Sequence, residues 1–152
     1  IYGTPDARDI QGGRTADGSR PWHSEGSADF FGHLLTELAG HPGALRQYFD
    51  GGQDCWALID DDFSLWDLTY DADGGCGHHL GAWAIAYLGS QHSLEAYLGF
   101  YDELNAYGFF DGWLKNFGVT TDEFDQNFRN WFQQTSRTVK QQTIDQIVSD
   151  LQ

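Results

Sequence analysis

The segment His79–Leu88, HLGAWAIAYL, is polar only at its ends. A helix that is apolar on every side has to be enclosed on every side, so this stretch predicts a central helix ringed by others. The neighbouring segments supply candidates. From Trp22 to Leu38, the residues Ala28, Phe31, Leu34, Leu35 and Leu38 recur at three-and-four spacing, with Pro21 suited to the first turn and Gly40 to the stop. A short helical stretch through Leu45, Tyr48 and Phe49 follows Pro42 and ends at Gly51-Gly52. Ser93–Tyr107 carries Leu94, Tyr97, Leu98, Tyr101 and Leu104, and Thr120-Thr121-Asp122-Glu123 reads as a capping box before Phe124, Phe128, Trp131 and Phe132. Residues 53–76 are acidic and aromatic together and predict a structured loop with one helical turn near Ser64–Thr69, while 108–118, GFFDGWLKNFG, read as a glycine- and aromatic-rich connector. No segment alternates with the period of a strand. The expectation is an all-α bundle of five to six helices over residues 21–152, preceded by an extended arm over residues 1–20.

Charge narrows the partners. Eight basic residues against 23 acidic ones give a net charge of −15, which repels nucleic-acid backbones and anionic lipid surfaces alike. No apolar run reaches the roughly 20 residues that cross a bilayer, and no basic-then-apolar leader opens the chain. The chain begins at Ile1 and has no Met, so a preceding part of a longer product is expected. Cys55 and Cys76 are the only cysteines. Paired, they would close a loop worth about 3 kcal/mol on the chain-entropy account and would point to an exported protein, secreted or periplasmic. Unpaired, they would be two unrelated thiols; a zinc site on them is disfavoured, because neither belongs to a C-x-x-C pair. Asp71-x-Asp73-Gly74 has the oxygen-rich start of a calcium loop, but the twelfth position is Ala82 where a bidentate Glu is needed, so a solvated acidic loop is expected there.

The opening of the first helix carries more specific chemistry. Pro21-Trp22-x-x-Glu25-Gly26-x-Ala28-Asp29-Phe30 resembles the P-x-W-x-x-E-G-x-A-[DE]-[FY] helix of the gluzincins, the thermolysin-like zinc metallopeptidases. The order of the later segments, HHLGAWAIAYLGSQHSLEAYLGFYDEL and then FGVTTDEFDQNFRNWF, is similar to the C-terminal helical subdomain of that family, and the resemblance spans about residues 20–133. It implies that Glu25 is the third protein ligand of a catalytic zinc, that Asp29 holds the second nitrogen of a zinc-bound histidine, and that His78 or His79 donates to the oxyanion, with a peptide or protein as substrate. The bland alternatives are first-turn acids favoured by the helix dipole for Glu25 and Asp29, a solvated or capping pair for His78 and His79, and surface or satisfied histidines at His33, His41 and His92.

The family's H-E-x-x-H, source of two zinc ligands and the general base, is not in these residues, and no His has a His partner four positions on. His23 and Glu25, two apart, point to different sides of a helix. The resemblance therefore implies the C-terminal part of an exported zinc peptidase, inactive by itself and completed by an N-terminal half. Two readings of other classes compete with it. One is a non-catalytic acidic helical module that uses exposed Trp and Tyr to hold a cationic or carbohydrate partner. The other is a homo-oligomer built on the last helix, whose Val139, Ile144, Ile147, Val148 and Leu151 form one stripe.

Overall fold

The computed structural model describes residues 21–60, 62–68 and 75–152. The expected arm over residues 1–20 and the possible calcium loop at Asp71–Gly74 lie outside these residues. Among the described residues seven α-helices follow one another: α1 Trp22–Leu38, α2 Ala44–Gly51, α3 Cys76–Gln91, α4 Leu94–Tyr107, α5 Phe109–Phe117, α6 Thr121–Gln134 and α7 Arg137–Leu151. Short 3-10 turns cover Gln53–Leu58 and Leu65–Asp67, and no strand occurs among the described residues.

The class is all-α, with more helices than the five to six expected. One that the sequence did not announce is α5, made from the glycine- and aromatic-rich connector. Gly108 and Gly118 take φ of 74° and 70° at its two ends, so the glycines delimit a helix and do not dissolve it. The other ends follow local chemistry. Thr120 Oγ1 accepts from Glu123 N (3.1 Å) while the Glu123 carboxylate accepts from Thr120 N (2.7 Å), which completes the capping box. Ser93 and Ser136 cap α4 and α7 through their own side-chain oxygens. Glu37, near the end of α1, reaches over to accept from Gly43 N and Leu45 N, so one helix supplies the cap of the next.

Helix α3 is buried without a break from Leu80 to Leu88 and makes its most extensive contact with α1. The buried line of α1 is not the one the spacing predicts. Trp22, Gly26, Phe30 and Leu34 face inward, whereas Leu35 is 64% exposed and Ala28 and Leu38 are also at the surface. The reason is Gly26. It meets Gly81 of α3 backbone to backbone, and a Cβ built on it would lie 2.2 Å from the Gly81 carbonyl carbon. That contact sets the rotation of α1 and selects the i, i+4 row running through residue 26.

Aromatic rings fill the remaining space. Trp22 stacks on Phe124 (5.9 Å between centroids) and meets Trp66 and Trp113 edge-on, while Trp83 packs on Phe49 at 4.2 Å. Four indole nitrogens, those of Trp22, Trp56, Trp66 and Trp113, are buried without an acceptor among the described residues. In α7, Ile144, Ile147 and Val148 pack inside this chain, and of the expected stripe only Val139 and Leu151 stay exposed. Lys140 of the same helix is buried as well, its ammonium over Phe132 (4.3 Å) and Trp56 (4.9 Å) and its proton on the Thr135 carbonyl that ends α6. Among the described residues, no helix is long and apolar enough to cross a membrane.

Cys55 and Cys76 form a disulfide, with Cα atoms 5.3 Å apart, that ties the first 3-10 turn to the first residue of α3. Reduction is expected to lower the unfolding free energy by about 3 kcal/mol, the loop-entropy value for a loop of this length. Urea titrations with and without reductant measure it, and a coincident pair of curves would exclude a stabilising bridge.

Candidate functional site

Glu25 and Asp29 lie one turn apart on α1, and the first turn of α3 faces them. The Gly26–Gly81 contact brings the two backbones close enough for short side chains to meet across the gap. His78 uses this. Its Nδ1 lies 3.2 Å from Asp29 Oδ2 and 3.9 Å from Glu25 Oε2, so one imidazole spans both carboxylates. Glu25 is the more buried of the two acids, 8% exposed overall.

A fourth residue joins from α2. Tyr48 donates its hydroxyl to Asp29 Oδ2 at 3.0 Å, and its ring stacks on His33 with centroids 4.3 Å apart. Burial and then the Asp29 charge push the Tyr48 phenol far above its usual range, so it acts as a donor. Nothing in the spacing between positions 29 and 48 announces this contact. It exists because α1 and α2 form a hairpin capped by Glu37, which folds Tyr48 back onto the first half of α1.

The two adjacent histidines part company. His78 faces the carboxylates, whereas His79 is 6% exposed and sits among Tyr48, Phe49 and Trp83. Trp83, one turn on, donates Nε1–H to His79 Nε2 at 3.2 Å. That nitrogen therefore carries a lone pair and the ring is neutral. Desolvation, opposed in part by the Asp29 charge, pushes the His79 pKa down to about 4. Gly52 closes over the ring so tightly that a Cβ there would come within 2.3 Å of it. Of the pair named by the sequence, His78 is the one the fold places with Glu25 and Asp29, and His79 is a core residue.

The other histidines are also accounted for. His23 is buried with its ring 4.7 Å from Phe109, His33 lies against Tyr48, and His41 and His92 are exposed.

Among the described residues, no group of three or more His, Cys, Asp and Glu side chains is arranged to hold a metal ion. Glu25 is a largely buried carboxylate with Asp29 four residues away, which fits in kind the one carboxylate of a His₂Glu zinc site, and the H-E-x-x-H that would bring the two histidines is not in this sequence. No family model, no curated protein and no solved structure matches the chain.

Proposed function

We propose that this chain is the carboxylate-bearing part of a zinc peptidase whose H-E-x-x-H lies upstream of Ile1. The observation that carries the reading is the convergence of Glu25, Asp29 and His78, from two helices held together at a glycine pair, on one partly open wall. Zinc, when bound, polarises the scissile carbonyl and lowers the pKa of the attacking water. Glu25 serves as the third protein ligand. The second carboxylate oxygen of Asp29, Oδ1, is the one available to the far nitrogen of a ligand histidine, because Tyr48 and His78 both use Oδ2. His78 donates to the carbonyl oxygen as negative charge develops there, an interaction worth roughly 3 kcal/mol in comparable sites. The disulfide supports export to a secreted or periplasmic location.

The test uses the protein as its gene encodes it, with whatever precedes Ile1 attached. One zinc per chain and hydrolysis of a peptide substrate are expected. Glu25→Ala should lose the metal, and Asp29→Ala should weaken zinc affinity or activity by roughly 10–100-fold. A full-length product without zinc, or a Glu25→Ala variant that retains it stoichiometrically, overturns the reading. The non-catalytic module would then be the better account, though on a different surface from the expected one: among the described residues no Trp is exposed, and Tyr101 and Tyr107 with Leu35, Leu98 and Phe110 are the exposed groups an acidic chain would offer a cationic partner.

A further inference from the structure

Tyr48 enters the site from α2, a helix to which the resemblance assigns no chemistry. Its hydroxyl and His78 Nδ1 meet the same oxygen, Asp29 Oδ2, at 3.0 Å and 3.2 Å. The terminal torsion of an aspartate is broad and roughly two-fold, so a carboxylate held by one donor swings easily. Two donors from different helices fix both the oxygen and the plane of the group. Tyr48 can act as the fixed point because its own ring is clamped: stacked on His33 at 4.3 Å, edge-on to Phe49 at 5.3 Å and tilted over His79 at 5.5 Å.

We infer that Tyr48 is a positioning residue of the site, which pins Asp29 Oδ2 so that this oxygen holds the Nδ1 side of His78 and sets the imidazole beside Glu25. Nδ1 is the nitrogen given to orientation, the part that an orienting carboxylate plays for a working histidine. The catalytic consequence rests on the peptidase reading. The geometry does not, and it can be measured on the chain alone.

The experiment is proton NMR of the 152-residue chain, with ¹⁵N-labelled histidine, at one fixed pH. In the wild type, the His78 Nδ1–H should be protected from exchange with water. Tyr48→Phe keeps the ring and its packing and removes only the hydroxyl, so a merely structural role for Tyr48 would leave that proton unchanged. The expected result is exchange at least tenfold faster in Tyr48→Phe, with the Trp83–His79 hydrogen bond intact. Asp29→Ala removes the shared oxygen and should release His78 to at least the same extent. Adding Tyr48→Phe to Asp29→Ala should then have no further effect, since Tyr48 acts through Asp29. Unchanged exchange in Tyr48→Phe, or additive effects in the double variant, overturns the inference. Neither zinc nor an upstream segment enters the measurement, so its failure is distinguishable from failure of the peptidase reading.

Discussion

Gly26→Ala is expected to destabilise the chain by about 3 kcal/mol or more, a drop of roughly 10 °C in melting temperature for a domain of this size. The added methyl would lie 2.2 Å from Gly81 C, 2.6 Å from Ala82 N and 2.6 Å from Gly81 O. All three are backbone atoms in the middle of a helix, so no rotamer change relieves the overlap and α1 must move away from α3. Gly81→Ala meets the same interface from the other side, 2.6 Å from the Trp22 carbonyl oxygen and 3.1 Å from Gly26 Cα, and should behave alike. Gly32, further along α1, is the internal control. A Cβ there finds nothing within 4 Å, so Gly32→Ala should stabilise by about 0.5–1 kcal/mol through helix propensity alone. Thermal melts of the three variants decide the matter: a Gly26→Ala midpoint equal to wild type would mean that the helices do not touch at this pair. Because Glu25 adjoins Gly26 and His78 lies one turn before Gly81, the same substitution should also part His78 from the two carboxylates.

The second large effect is acid destabilisation through His79. The unfolded imidazole takes up a proton near pH 6.5, whereas the folded one resists until about pH 4. Between these values the unfolded state binds the extra proton, so stability rises with pH across the window. The contribution is complete above pH 6.5, is lost as pH falls towards 4, and is on the order of 3 kcal/mol. Asp125, whose carboxyl is raised mainly by burial, works in the opposite sense as the pH falls towards its folded value. The His79 share is therefore read as a difference between two proteins. His79→Gln keeps an acceptor for the Trp83 indole but does not titrate, and its unfolding free energy between about pH 7 and 4 should be flatter than wild type by about that amount. Parallel curves for the two proteins would exclude His79 as the titrating group.

Local signals in the sequence proved sufficient where the physics is local. The capping box at Thr120–Glu123, the fully apolar run to Leu88 and the single cysteine pair each depend on residues close in the chain or on elimination, and the structure contains all three. The inward face of α1 was less legible. Counting apolar residues favours a stripe through Phe31, Leu35 and Leu38, but which face turns inward is decided by how near a partner can come, and Gly26 allows the closest approach. The site divides in the same way. Glu25, Asp29 and the His78/His79 pair are named by the resemblance, and the spacing by itself reads the two acids as first-turn residues of a helix. Separating His78 from His79 requires the phase of α3 against α1, and Tyr48 requires the fold of a hairpin. Neither is encoded in any short window.

The four buried indole N–H groups of Trp22, Trp56, Trp66 and Trp113 have a spectroscopic consequence. In the unfolded chain each donates to water. In the native chain each nitrogen is shielded from water and finds no acceptor among the described residues, with His23 beside Trp22 and Trp66 and the Lys140 ammonium over Trp56; an indole N–H left without any partner costs about 1–3 kcal/mol. Indoles shielded from water emit at shorter wavelength than solvated ones, because mobile water does not relax around the enlarged dipole of the excited ring. Native emission should therefore be distinctly blue and shift red as the helices separate. Since Trp22 sits one turn before Gly26 and Trp113 belongs to α5, that single optical signal reports on the α1–α3 seam and the distal helices together.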